Sequence, residues 1–188
     1  MLTHMAAILI LSAPSGAGKT SLSRALVDSR DDIAITVSHT TREQRLGEIQ
    51  GRDYYFVDNH KFESMIAAGS FIEYATVFGH YYGTSINAIN ELTSAGKHAI
   101  LEIDWQGAKI VREKFPRSKS VFIMPPSLGA LEERLRQRKR DSQEIIEERM
   151  KKAASEISHK DEFDVIIVND DFDSALNELN ELINSLDD

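Results

Sequence analysis

Apolar residues in this chain fall into short continuous runs, separated by longer stretches in which they recur every three or four positions. The runs Ala7–Leu11, Ala34–Val37, Ala99–Ile103, Ser120–Met124 and Val165–Val168 predict strands buried on both faces. The periodic stretches Lys19–Ser29, Ile86–Ala95, Gln106–Lys114, Leu128–Arg138, Gln143–Ser158 and Phe172–Leu186 predict helices. In the last of these, Leu176, Leu179, Ile183 and Leu186 share one face, which reads as plain core packing. Strand and helix alternate, so the expected class is α/β, a doubly wound parallel sheet of five strands with helices on both sides.

Two segments break the alternation. From Ser38 to Thr84 the aromatic-rich runs Asp53–Val57 and Phe71–Val77, a helix near His60–Ala68 and glycines at 47, 51, 69, 79 and 83 predict short antiparallel strands and turns. This is an inserted α+β subdomain, residues 38–84. From about Pro125 to Arg149 a helical pair carries Arg134, Arg136, Arg138, Lys139 and Arg140 at its bend, the makings of a mobile lid over residues 126–149. The core is then residues 1–37, 85–125 and 150–188.

Composition narrows the class. The 188 residues suit one compact core with small appendages, and 41% hydrophobic with 28% charged residues is ordinary for a globular chain. A net charge of −8 repels polyanions at long range, so nucleic acid is not the expected partner. The chain has no cysteine, hence no disulfide and no thiolate metal site, which suits the cytoplasm. The run Ala6–Leu11 is too short to span a bilayer, so neither a signal peptide nor a membrane is expected.

Ala13-Pro14-Ser15-Gly16-Ala17-Gly18-Lys19-Thr20 matches G-x-x-x-x-G-K-[ST] at every fixed position but the first, where Ala13 stands for glycine. A strand precedes it and a helix follows, with Leu22, Ala25 and Leu26 on one face. Backbone N–H groups and the positive end of that helix would surround the phosphates of a nucleotide. Lys19 would bridge the β and γ groups, and Thr20 would hold Mg²⁺. The fold expectation sharpens accordingly to the P-loop NTPase type, with residues 13–21, ending at Ser21, on ATP.

Downstream of this loop come Ser38-His39-Thr40-Thr41-Arg42-Glu43-Gln44-Arg45, Gly51-Arg52-Asp53-Tyr54-Tyr55-Phe56-Val57 and Phe71-Ile72-Glu73-Tyr74. Gly79-His80-Tyr81-Tyr82-Gly83-Thr84, Leu101-Glu102-Ile103-Asp104-Trp105-Gln106-Gly107 and Ile167-Val168-Asn169-Asp170 complete the series. With these motifs, spread over nearly its whole length, the chain resembles the guanylate kinase family. The resemblance implies transfer of a phosphoryl group from MgATP to GMP, and with it dGMP, in purine nucleotide metabolism, and it makes residues 38–84 the GMP-binding subdomain. It assigns Arg42, Arg45, Tyr54 and Tyr82 to the phosphate of GMP, and Ser38, Glu73, Thr84 and Asp104 to the guanine, with Glu102 beside them. It also points to Arg138 and Arg149 as lid arginines on the transferred group, and to Arg134 and Asn169 near the adenine of ATP.

Residue chemistry agrees with these implied roles. Guanidinium forks and phenols donate to a phosphate dianion. A carboxylate accepts both N1–H and the 2-amino group of guanine, whereas adenine presents an acceptor at N1 and lacks that amine. Glu102 and Asp104 stand at a strand end, where parallel sheets place their ligands, and magnesium contact through water suits them. Asp104 also reads as a helix cap, and the two roles are compatible. Taken singly, each arginine reads equally as a solvated surface residue, Glu73 as a charge guarding a sheet edge, and Arg134–Arg140 as a solvated helix face.

Two other readings compete. One is a related P-loop kinase with a different phosphate acceptor, against which Glu73, Ser38 and Thr84 speak. The other is a silent guanylate-kinase-like binding module, against which the complete set Lys19, Thr20, Arg42 and Arg138 speaks. Lys139 stands where the family commonly has glycine. Partners are the small molecules ATP and GMP, and homo-oligomerisation is left open.

Overall fold

In the computed structural model, which describes residues 6–77, 79–137 and 142–186, strand β1 (Ile8–Ser12) has every residue buried. Its side chains alternate between two cores. Leu9 and Leu11 join one apolar cluster, and Ile8 and Ile10 join the other. That is the pleat of a central strand covered on both faces. Five strands, β1, β2 (Ile33–Ile35), β7 (His98–Glu102), β8 (Lys119–Met124) and β9 (Val165–Val168), pair in parallel in the order β2-β7-β1-β8-β9.

Helices α1 (Lys19–Ser29) and α7 (Phe172–Asn184) bury Leu22, Leu26, Leu179 and Ile183 in the first cluster. Helices α3 (Ile86–Ser94) and α4 (Trp105–Lys114) bury Ile89, Ala108 and Val111 in the second. The doubly wound parallel sheet expected from the apolar runs is therefore present, with element ends shifted by one or two residues. The largest shift is β2, expected over Ala34–Val37. It starts at Ile33 and ends at Ile35, because the chain then leaves the ladder, although Thr36 N–H and Oγ1 still reach the Ile100 carbonyl.

The insertion forms a second sheet in the order β4-β3-β6-β5. Its strands are β3 (His39–Thr40), β4 (Tyr55–Phe56), β5 (Phe71–Val77) and β6 (His80–Ser85), and helix α2 (Asn59–Ala67) precedes β5. Three expectations are corrected here. The pairing is not antiparallel throughout, because β3 and β4 run parallel, the long loop between them acting as a crossover. The run Asp53–Val57 keeps only Tyr55 and Phe56 as strand, since Asp53 and Tyr54 close the loop instead, Asp53 accepting the Ile49 N–H and Tyr54 the Gly51 N–H. Gly83 lies within β6 rather than in a turn, where a Cβ would come within 3.0 Å of the Phe62 and Phe71 rings.

Between Phe71 and Glu73 the β5–β6 ladder slips: Phe71 faces Ser85 and Glu73 faces Thr84. Two residues advance on β5 against one on β6, the signature of a bulge. Phe71, Ile72 and Glu73 are consequently all buried, which strict alternation would not allow. The Lys114 ammonium donates to the Ile72 carbonyl at 2.6 Å, tying the bulge to α4 of the main sheet.

Helices α5 (Leu128–Gln137) and α6 (Gln143–Ile157) form the second interruption. Arg138, Lys139 and Arg140, named above for the lid bend, lie outside the described residues. No helix among the described residues is long and apolar enough to cross a membrane.

Candidate active site

A cleft of about 440 Å³ opens between the carboxyl ends of the parallel strands and the inserted sheet. On one wall the loop after β1 contributes Ala13 to Gly16, and Gly18 to Ser21 follow as α1 begins. Gly16 and Gly18 adopt φ of 100° and 101°, a region that side chains with Cβ avoid. At Gly18 there is a second reason for glycine, because a Cβ would overlap Asn169 Nδ2. Ala17 faces away from the cleft and is fully buried. Its carbonyl accepts Asn169 Nδ2–H at 2.7 Å, so the loop leans on the chain after β9.

Asn169 and Arg134 are thus brought together, the Arg134 guanidinium donating to the Asn169 carbonyl at 2.9 Å. Neither lines the cleft. Asn169 buttresses the phosphate loop from behind, and Arg134 ties α5 to it.

The facing wall is the inserted sheet. Tyr54, Tyr82 and Arg45 line the cleft together. Burial pushes the Tyr54 phenol up to about 12, with the Glu102 carboxylate adding to the effect, so it stays protonated and able to donate. The Tyr54 and Tyr82 rings meet edge to face at 6.0 Å. Arg42 sits just behind this wall, with its guanidinium 5.5 Å from the Tyr54 ring centre and 5.6 Å from that of Phe56.

Glu73 is the deepest charged group of the cleft, 7% exposed. Its Oε1 accepts the Thr84 N–H at 3.0 Å, and the Thr84 hydroxyl lies 3.3 Å from that of Ser38. Burial raises the Glu73 carboxyl to about 7; Thr84 and Lys19 pull against this, and Asp104 adds to it. Gly107 on α4 makes room for it, since a Cβ there would stand 2.9 Å from Glu73 Oε2.

At the floor, Glu102 ends β7 and Asp104 lies two residues beyond it. Glu102 accepts the Ser23 hydroxyl at 2.9 Å, and Asp104 caps α4 by accepting the Gly107 N–H at 2.9 Å. Thr20, Lys19, Glu102 and Asp104 therefore line one end of the same cleft.

Helix α6 closes the remaining side with Arg149, Lys152 and Glu156. Lys152 and Glu156 were missed by sequence reasoning. Their spacing from Arg149, three and seven residues, places all three on one helical face, a signal that was available. Burial raises the Glu156 carboxyl, and its Oε2 is buried without a partner among the described residues.

The arrangement joins an anion cradle, a donor cluster suited to a second phosphate and a buried carboxylate flanked by hydroxyls. Comparison with known proteins matches residues 5–186 to the family model described as guanylate kinase. A guanylate kinase of Methylococcus capsulatus is 54% identical over 94% of this chain and 86% of its own. One of Haemophilus influenzae is 55% identical over 95% and 87%. A crystal structure of guanylate kinase from Anaplasma phagocytophilum superposes with a TM-score of 0.81 at 35% identity, over 98% of this chain and 87% of that one.

Proposed function

The chain belongs to the guanylate kinase family, whose members are ATP:GMP phosphotransferases, and from that premise we propose how its own residues perform the transfer. The observation that carries the reading is the buried Glu73 carboxylate, set beside Ser38 and Thr84 in the cleft that also holds Lys19.

Guanine enters against Glu73, which accepts from N1–H and the 2-amino group, while the Ser38 and Thr84 hydroxyls serve O6. Adenine would leave the carboxylate facing an acceptor and its burial uncompensated, and discrimination of this kind can reach roughly 10⁴-fold. The ribose makes no part of this recognition, so dGMP is accepted as well. The phosphate of GMP lies among Arg45, Tyr54, Tyr82 and Arg42, two charged forks and two neutral phenols.

ATP places its phosphates on the backbone of residues 13–20, against the N-terminus of α1, with Lys19 on the β and γ groups. The phosphate oxygen of GMP is already anionic and attacks without a base. Charge spreads over the moving phosphoryl group, where Lys19, Arg42 and Arg149 would act, joined by Arg138, which is assigned by family resemblance alone because it lies outside the described residues. Closure of residues 126–149 as a lid would draw Arg149, already at the cleft wall, onto the phosphates together with Arg138 and exclude water.

The oxygen donors Thr20, Glu102 and Asp104, gathered beside Lys19 and held by the Ser23 and Gly107 contacts, fit a magnesium ion that keeps most of its waters. Magnesium, when bound with ATP, neutralises charge on the β and γ oxygens. Asp104 and Thr20 are the residues that would hold it.

Initial rates with GMP, dGMP, AMP, CMP and UMP at fixed MgATP test the proposal. Turnover confined to the two guanine nucleotides supports it. Equal ATP consumption with every monophosphate refutes the role of Glu73.

A further inference from the structure

Glu48 has no place in the scheme above, yet its carboxylate meets both arginines of the acceptor-phosphate wall. Oε1 accepts from Arg42 NH2 at 2.7 Å and Oε2 from Arg42 NH1 at 3.1 Å, a two-pronged ion pair. Oε2 also accepts the backbone N–H of Arg45 at 2.8 Å. The loop closes around this group, with the Glu48 N–H donating to the Arg45 carbonyl and the Gln44 amide to the Glu48 carbonyl.

The pair is well shielded. The Arg42 and Glu48 side chains are 11% and 21% exposed, whereas Arg52, paired with Asp53 in the same loop, is 63% exposed. Burial opposes the charge on both partners, and the pairing outweighs it: the Glu48 carboxyl is held below its ordinary range and the Arg42 guanidinium above its own. A desolvated two-pronged contact of this kind fixes the plane of a guanidinium, where a solvated one leaves it to rotate.

Which edge of Arg42 is used decides the role. Glu48 takes the NH1–NH2 end, and NH1 also donates to the Glu43 carbonyl at 2.6 Å. The Nε side is not engaged by Glu48, and the Tyr82 phenol, which lines the cleft, adds to the support of the Arg42 charge. The guanidinium is thereby clamped from one end, against the adjoining Tyr54 and Phe56 rings, with its Nε edge outside the Glu48 contact.

We propose that Glu48 is the positioning residue of the acceptor-phosphate site: its carboxylate stays on Arg42 and on the Arg45 peptide while GMP is bound, and fixes both arginines for the phosphate. This rests on the assignment of Arg42 and Arg45 to that phosphate. The opposite role, a carboxylate that occupies the phosphate's place until GMP displaces it, predicts the reverse effect of neutralisation.

The test is steady-state kinetics of the full chain carrying Glu48→Gln or Glu48→Asp, with kcat and KM measured separately for GMP and ATP. Guanosine, which carries the base and no phosphate, serves as a competitive inhibitor. Loss of a charge-assisted bond should raise KM for GMP roughly tenfold in Glu48→Gln. KM for ATP and the guanosine inhibition constant should stay at wild-type values, and Glu48→Asp should recover part of the loss. A fall in KM for GMP, or no change, would overturn the proposal. So would a parallel rise in the guanosine constant, which would mean that the loop had collapsed. Failure of the parent assignment looks different, since wild-type enzyme would then bind guanosine and GMP equally well.

Discussion

Glu73 Oε1 accepts the Thr84 N–H at 3.0 Å across the bulged β5–β6 ladder, so the carboxylate proposed to read guanine is also held by the backbone of the strand opposite. Replacing Glu73 with Gln keeps a carbonyl oxygen for Thr84 and removes the acceptor for one guanine donor. KM for GMP should rise by about 10- to 100-fold, the range for a lost charged hydrogen bond, and KM for ATP should stay within about twofold. Equal losses for the two nucleotides would contradict the role of this residue.

If that proposed role holds, the same carboxyl makes GMP recognition pH-dependent. With its pKa raised to about 7 by burial, the free enzyme carries a neutral Glu73 below that pH, and only the anion accepts both guanine donors. kcat/KM for GMP should therefore fall as pH drops below about 7, and the Glu73→Gln profile should lack that limb. For stability the sign is opposite. The folded state binds a proton that the unfolded chain, with a pKa near 4.5, has released, so this group's contribution is lost as pH rises from about 4.5 through 7. Thermal denaturation at pH 8 should find Glu73→Gln no less stable than the wild type.

Lys19 lines the cleft as the first residue of α1, directly after the positive-φ Gly18. Lys19→Ala should lower kcat by at least about 10²-fold, the cost of removing one preorganised donor, without changing the far-ultraviolet circular dichroism. Retained turnover would remove this lysine from the phosphates.

Asn169 holds the loop after β1 through the Ala17 carbonyl, so its proposed effect on ATP is indirect. Asn169→Ala strands the buried Ala17 carbonyl, a loss of about 1–3 kcal/mol. The melting temperature should drop by roughly 2–12 °C, at about 2–4 °C per kcal/mol for a chain of this size. KM for ATP should rise several-fold and KM for GMP should not. If the ATP effect were absent while the melting temperature fell, Asn169 would be a purely structural residue.

The legible parts of this protein are those coded by neighbours in sequence. Five apolar runs and the loop from Ala13 to Thr20 announced a parallel sheet with a phosphate cradle, because burial on both faces and a strand-turn-helix phosphate loop leave local patterns. Motif resemblance reached further and named Glu73, Arg42 and Tyr54. What it could not convey was the slip at Phe71–Glu73, since a bulge is a relation between two strands and leaves no mark in either alone. The parallel pairing of β3 with β4 was hidden for the same reason. Chemistry that depends on burial was also beyond the sequence: the raised carboxyl of Glu73 comes from the bulge and from the absent side chain of Gly107, 34 residues further along. Nothing in the sequence singles out Glu48; only the fold, by closing its loop over Arg42 and Arg45, shows what its carboxylate meets. Residue order thus determined which groups were available, and packing alone decided which were dry, paired and aimed, because desolvation and hydrogen-bond geometry are properties of neighbours in space.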